Sequence, residues 1–197
     1  PHSPYRDWYR WTKESQPGGG WRYGGGGEYY YALFWEGMPD LNYANPAVVA
    51  EMKKVARFWL QEVGVDGFRL DAAKHIFEDG SVVENTPETH AWYRDLRKYY
   101  KSIEPQAMMV GEVWNDSATV SKYLQGDELD LAFDFDLAKN IVFTAGTGRA
   151  DDMSDVLVRD LSLFKPGQFA TFLTNHDQDR VMSTLNHDVE AAKSAAT

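Results

Sequence analysis

Three carboxylates stand where expected strands end. Asp71 closes the run Val-Asp-Gly-Phe-Arg-Leu-Asp, Glu112 follows Met-Met-Val-Gly, and Asp177 follows Phe-Leu-Thr-Asn-His. Burying a carboxylate is costly unless it is paired or hydrogen-bonded. Arg69 lies two residues before Asp71, on the same strand face, and its guanidinium is a ready partner to keep Asp71 ionised. Glu112 sits among Val110, Gly111, Val113 and Trp114. An apolar setting raises a carboxyl pKa and suits a proton donor. An ionised carboxylate beside a protonated one is what glycoside hydrolysis needs: one attacks or stabilises the anomeric carbon, the other protonates the leaving oxygen. Any one strand-end acid reads as readily as a cap or surface group. Three together, with Arg69 and His176 beside them, favour the chemistry.

Competing chemistries find less support. Asp130, Asp134 and Asp136 could suggest a calcium loop, but the EF-hand glycine is missing, and they read as a solvated strand face or strand end. His2, His90 and His187 stand alone and read as surface residues. No H-E-x-x-H and no G-x-S-x-G occurs, which leaves metalloprotease and serine-hydrolase readings without a motif. Cysteine is absent, so disulfides, thiolate metal sites and cysteine nucleophiles are excluded. The net charge of −10 over 197 residues disfavours a nucleic-acid partner and is compatible with a neutral sugar. No run approaches the ~20 apolar residues of a membrane span, so no membrane partner is expected.

The carboxylates need elements to carry them. Asn45-Pro46 starts a helix, with Asn as cap and Pro at the first turn, and apolar residues from Val48 to Val63 recur at helical spacing. Val65 to Ala72 reads as a buried strand. Thr86-Pro87 opens a helix to about Ser102. Met108 to Val113 is a strand, Ser117 to Leu124 a short helix, Leu129 to Leu137 an alternating strand, Asp151 to Leu163 a helix, and Phe169 to Thr174 a strand before a last helix from Val189. Alternation of this kind gives an α/β fold with parallel strands and helical crossovers, either an open doubly wound sheet or part of a (β/α)8 barrel. No G-x-G-x-x-G follows a strand, which disfavours a dinucleotide fold. In barrels the C-terminal strand ends carry the chemistry. Residues 1–44 differ: Gly18 to Gly20, Gly24 to Gly27 and many aromatics imply an irregular loop region packed by aromatics, or a platform on which sugars stack.

The strand ends resemble the sequence regions of the α-amylase superfamily, glycoside hydrolase family 13. Gly67-Phe68-Arg69-Leu70-Asp71-Ala72-Ala73-Lys74-His75 is similar to the region around the nucleophile, and Gly111-Glu112-Val113-Trp114 to that around the acid/base. Phe172-Leu173-Thr174-Asn175-His176-Asp177 is similar to the region of the third carboxylate, and Met38-Pro39-Asp40-Leu41-Asn42 to the short motif near the end of domain B. Each is weak alone; the four in the family's order are specific.

The resemblance implies a partial (β/α)8 TIM barrel over residues 45–197, from about the third helix to the seventh. The remainder of an inserted domain B would occupy residues 1–44, and two sheet edges would be unpaired. It implies Asp71 as nucleophile, Glu112 as general acid and base, and Asp177 as a sugar-binding carboxylate. Arg69 would hold Asp71 charged, His176 would bind the same sugar, Lys74 and His75 would contact the acceptor-side glucose, and Trp114 would stack there. Asp40 and the carbonyl of His75 match two calcium ligands of calcium-binding relatives; no organic cofactor is implied. The Met-Pro-Asp-Leu-Asn motif looks intermediate between neopullulanase-like and oligo-1,6-glucosidase-like members, while Ala72 and Lys74-His75 are similar to α-1,4-specific ones. The expected substrate is an α-glucan or maltooligosaccharide, and the expected setting extracellular or at the cell envelope. The alternatives are a transglycosylating relative and an inactive carbohydrate-binding homologue.

Overall fold

The glycine- and aromatic-rich stretch is not the irregular loop that its composition implies. The computed structural model describes residues 3–14 and 19–197; His2 and Gly18 lie outside them. Strands β1 (Trp11–Thr12), β2 (Trp21–Gly25) and β3 (Glu28–Tyr31) form an antiparallel sheet of order β1-β3-β2. Gly25, Gly26 and Gly27 have φ of 93°, 61° and 77°, so the glycine run is the hairpin turn that joins β2 to β3. The aromatics pair across the strands: Trp21 on Tyr31 at 5.3 Å, Tyr23 on Tyr29 at 5.5 Å, and Trp11 on Tyr30 at 5.9 Å between ring centroids. Such pairs stabilise an antiparallel sheet. Most of these rings therefore serve packing, while Phe34 and Trp35 beyond β3 stay exposed.

Asn45 and Pro46 start α1 (Pro46–Arg57) as their types dictate, with Asn45 Oδ1 accepting the Ala47 N–H at 2.9 Å. The helix continues as a wider π turn, Phe58–Val63, and stops at Gly64 in the left-handed region. Then follow β4 (Gly67–Leu70), α2 (Pro87–Ile103), β5 (Met108–Gly111), α3 (Ser117–Lys122), β6 (Leu131–Phe133), α4 (Phe135–Thr147), α5 (Asp151–Leu163), β7 (Phe169–Ala170), α6 (Val181–Thr184) and α7 (Val189–Ala195). Thr86 caps α2 through its hydroxyl to the Thr89 N–H at 3.2 Å.

The second sheet is parallel with order β4-β5-β6-β7. Each strand lies beside its successor, and the order does not reverse. That sequential order is the barrel pattern; a doubly wound sheet has a switch point where the order turns back. At Gly67 the neighbouring strand leaves no room for a side chain, since a Cβ there would lie 1.9 Å from the Met108 carbonyl oxygen. Trp92, Tyr93, Leu96 and Tyr100 of α2 pack on Met109 of β5 and Ala132 of β6 to form the main core. Val55, Phe58, Trp59 and Val63 remain exposed on one side of α1 and its π turn.

The stretch expected as one strand from Leu129 to Leu137 is corrected. Only Leu131–Phe133 is strand; Asp134 caps α4, its Oδ1 accepting the Leu137 N–H at 2.9 Å. Nor are the three aspartates a solvated face. Asp130 accepts from Arg97 at 2.6 Å, Tyr100 at 2.5 Å and the Met109 N–H at 2.9 Å. Burial opposes its charge, yet those donors hold its pKa below the ordinary value. Asp134 is buried, and Asp136 pairs with Arg159 at 2.9 Å. His90 is likewise no isolated surface group: its Nδ1 lies 2.8 Å from Glu128, and its ring packs on Tyr123 at 4.3 Å.

Candidate active site

The loops that leave β4, β5 and β7 converge on one cleft of about 610 Å³, lined by Phe34, Met38, Asp71, Ala72, Lys74, His75, Glu112, Trp114 and Asp177. All three strand-end carboxylates reach it, as do Lys74, His75 and Trp114. Arg69 binds two of the carboxylates: Nη1 pairs with Asp71 Oδ1, and Nη2 donates to Glu112 Oε2 at 2.8 Å. His176 is exposed beside Asp177, with Nε2 3.4 Å from Oδ2, and does not line the cleft.

The setting of Glu112 differs from the apolar one expected. The residue is only 7% exposed, but Oε2 accepts both the Arg69 guanidinium and the Ala72 N–H at 3.1 Å. Both donors fall on one oxygen, which leaves Oε1 for a substrate. Ala72 makes its contact from the left-handed region, at φ 45° and ψ 40°, a conformation rare for a residue with a Cβ. The turn carries the chain from β4 into the short 3-10 segment Ala73–His75. Asp177 is placed by an Asx turn, its N–H donating to Asn175 Oδ1 at 3.0 Å.

Lys74 and Trp114 are coupled. Lys74 Nζ donates to the Trp114 carbonyl at 2.9 Å and pairs with Glu84 Oε2 at 2.6 Å. Trp114 is 46% exposed, and its indole stacks on Phe135 at 4.7 Å and 12°. His75 Nδ1 lies 2.9 Å from the Val83 carbonyl, and Phe34 meets its ring edge-on at 5.4 Å. Glu84 carried no motif, so sequence reasoning passed over it, while Phe34 reads only as one of the many aromatics of residues 1–44. Their one signal is position: Phe34 stands four residues before Met38, and Glu84 precedes the cap of α2 by two.

Asp40 lies apart from the cleft lining. Its Oδ2 accepts the Leu33 N–H at 3.2 Å. Burial raises its pKa, against the pull of that N–H and of the neighbouring Arg10 and His75. Calcium takes about six to eight oxygen ligands. Asp40 and the His75 carbonyl make at most a small part of such a set, and no three His, Cys, Asp or Glu side chains converge as a metal cluster among the described residues.

The model of the α-amylase catalytic domain matches residues 1–197. The chain belongs to the α-amylase family. As a family member it is 39% identical over 194 residues to alpha-amylase 3 of Dictyoglomus thermophilum, covering 96% of this chain and 37% of that protein. It is 34% identical over 197 residues to the trehalose synthase/amylase of Mycolicibacterium smegmatis, covering 90% of this chain and 33% of that protein. Among solved structures, an alpha-amylase from H. orenii superimposes with a TM-score of 0.83 at 35% identity, over 98% of this chain and 41% of that one. The chain thus spans roughly a third to two-fifths of these α-amylase-family relatives, and its parallel sheet is part of a (β/α)8 barrel.

Proposed function

We propose that the protein containing this chain hydrolyses α-1,4-glucosidic bonds of starch or maltodextrins by a retaining double displacement. The observation that carries this reading is one guanidinium bridging Asp71 and Glu112 in a cleft that Asp177 also lines. Retention requires two carboxyl groups ~5–5.5 Å apart, one as nucleophile and one as acid/base. A shared Arg69 is a compact means of keeping two carboxylates side by side. Asp71 Oδ1 is committed to Arg69, so Oδ2 attacks the anomeric carbon. Glu112 delivers a proton to the leaving oxygen through Oε1 and then takes one from water. Asp177 binds sugar hydroxyls, with His176 beside it. Trp114 and His75 line the side on which the leaving sugar rests. The antiparallel sheet of β1 to β3 is the part of domain B that closes one edge of the cleft with Phe34 and Met38.

The test is reducing-end release by the full-length protein from starch, maltodextrin and pullulan. Glu112→Gln is expected to lower turnover by at least the ~10²–10⁴-fold typical of general acid catalysis. A fluorinated glycosyl fluoride should label Asp71 covalently. Retention of more than a tenth of the activity, or a label on another residue, overturns the assignment.

A second reading follows from the 34% identity to a trehalose synthase/amylase. In it the glycosyl-enzyme passes to a sugar and not to water. Trehalose formed from maltose would favour this reading.

A further inference from the structure

Glu84 is used by none of the steps above, yet it meets four neighbours at the rim of the cleft. Its Oε2 pairs with Lys74 Nζ at 2.6 Å and lies 3.8 Å from His75 Nε2. Its Oε1 accepts from Asn115 at 3.5 Å and from Asn85 at 3.4 Å. Lys74 passes the connection on, donating to the Trp114 carbonyl at 2.9 Å while its own side chain is only 16% exposed. Glu84 therefore reaches Trp114 from both sides: through Lys74 to its carbonyl, and through Asn115 to the next residue in the chain. Charge-assisted bonds of this kind are roughly twice as strong as neutral ones.

We propose that Glu84 is a positioning residue which, by clasping Lys74 onto the Trp114 carbonyl, sets the indole at the leaving-group side of the cleft. The inference rests on the hydrolytic reading above. Trp114 follows the acid/base Glu112 by two residues, and its half-exposed ring lies flat on Phe135 where it lines the cleft, an aromatic surface on which a pyranose can stack. An aromatic platform works only if its tilt is fixed, because side chains that supply a site must themselves be locked in place. Without the Glu84 carboxylate, the Lys74 ammonium loses its ion-pair partner, and the loops after β4 and β5 lose the tie that runs through Glu84 to Lys74 and Asn115.

The experiment uses two substrates in the full-length protein. Maltotetraose leaves with a sugar that must rest beside Trp114; α-maltosyl fluoride leaves as fluoride and needs no such rest. Glu84→Gln is expected to lower kcat/KM for maltotetraose about tenfold, mostly through KM, with kcat/KM for the fluoride within twofold of wild type. In a Trp114→Ala background the same substitution should add less than twofold. A partly unfolded variant lowers both substrates equally, so the ratio reads positioning and not the amount of folded protein. An unchanged ratio, or full additivity with Trp114→Ala, overturns the role of Glu84 while leaving the hydrolytic reading intact. A wild-type protein inert toward both substrates overturns that reading, and this inference with it.

Discussion

The backbone N–H of Ala72 donates to Glu112 Oε2 at 3.1 Å, so the residue that follows one carboxylate holds the other. The bond exists because Ala72 turns left-handed directly after β4, at φ 45°. Arg69 supplies the second donor to the same oxygen. The turn and the guanidinium thus add to the backbone bonds that join the ends of β4 and β5, from the Glu112 N–H to the Leu70 carbonyl at 2.9 Å and from the Ala73 N–H to the Glu112 carbonyl at 3.0 Å.

Ala72→Val tests that turn. A β-branched side chain is poorly tolerated at positive φ, and it would stand on the cleft wall. The expected outcome in the full-length protein is a loss of on the order of 1–3 kcal/mol in stability, the cost of backbone strain of this kind. A partial shift from α-1,4 toward α-1,6 cleavage should accompany it, because valine adds two methyl groups and a pocket change of even one methylene alters discrimination by ~1–3 kcal/mol. Denaturant melts and the ratio of maltotriose to isomaltotriose cleavage check both. An unchanged ratio would separate the residue from specificity.

Arg69→Lys tests the fork. A lysine ammonium is a point charge and cannot present two parallel donors as a guanidinium does. Activity should fall by about 10²-fold or more even though the charge is kept, a loss typical of removing one preorganised electrostatic donor. Steady-state rates on maltooligosaccharides check this. Near-wild-type turnover would show that one donor suffices.

Asp134 and Asp160 give a pH dependence unrelated to the cleft. Asp160 is 1% exposed, and among the described residues neither of its oxygens has a hydrogen-bond partner; Asp134 Oδ2 also lacks one. Burial, and then the neighbouring Asp160 and Asp136, push Asp134 up to about 6, against the Leu137 N–H. A carboxyl raised in the fold stabilises the folded state below its unfolded pKa of about 3.9, and that stability is lost as pH rises through about 6. The Arg159 Nε lies 3.6 Å from Asp160 Oδ1, an ion pair without a hydrogen bond. Asp160→Asn should therefore raise the melting temperature at pH 8, by less than the ~3 kcal/mol that the whole shift represents because burial is its larger cause, and leave it nearly unchanged at pH 4. Equal shifts at both values would refute the shared site.

Calcium is the remaining expectation. Asp40 and the His75 carbonyl must be joined by oxygens from elsewhere in the protein to complete a site. If they are, calcium raises the melting temperature of the full-length protein by mass action, and Asp40→Asn removes the rise. Identical calorimetric curves with chelator and with added calcium would sink the metal site.

Much of this was legible in the residues. Asn45-Pro46 and Thr86-Pro87 started helices because cap chemistry is local, and Arg69 found Asp71 because period two places them on one face. Non-local relations were not legible. Phe133, Phe135 and Leu137 alternate with Asp134 and Asp136 as a strand would, yet Asp134 turned out to cap α4. The later apolar residues Ala138, Ile141, Val142 and Ala145 carried the helical spacing that corrects it. Gly24 to Gly27 read as a breaker, although flanking aromatics on both sides are a hairpin signature. The Arg69 bond to Glu112 and the clasp of Lys74 by Glu84 join residues 43 and 10 apart, respectively, and no local pattern announces them.

The sequential order β4-β5-β6-β7 has a consequence for how the molecule is made. Each strand pairs with the one the ribosome delivered just before it, so a nascent chain extends its sheet at the growing edge and waits for no later segment. With synthesis at about 5–20 residues per second, the roughly 40 residues between equivalent points of β4 and β5 emerge within several seconds, ample time for α2 to form and pack. Through that interval the edge of β4 that β5 will take has no partner. Gly67 leaves that edge without a side chain, because the Met108 carbonyl oxygen must come within 1.9 Å of where a Cβ would stand, so until β5 arrives this edge is where a growing chain is most open to pairing with another.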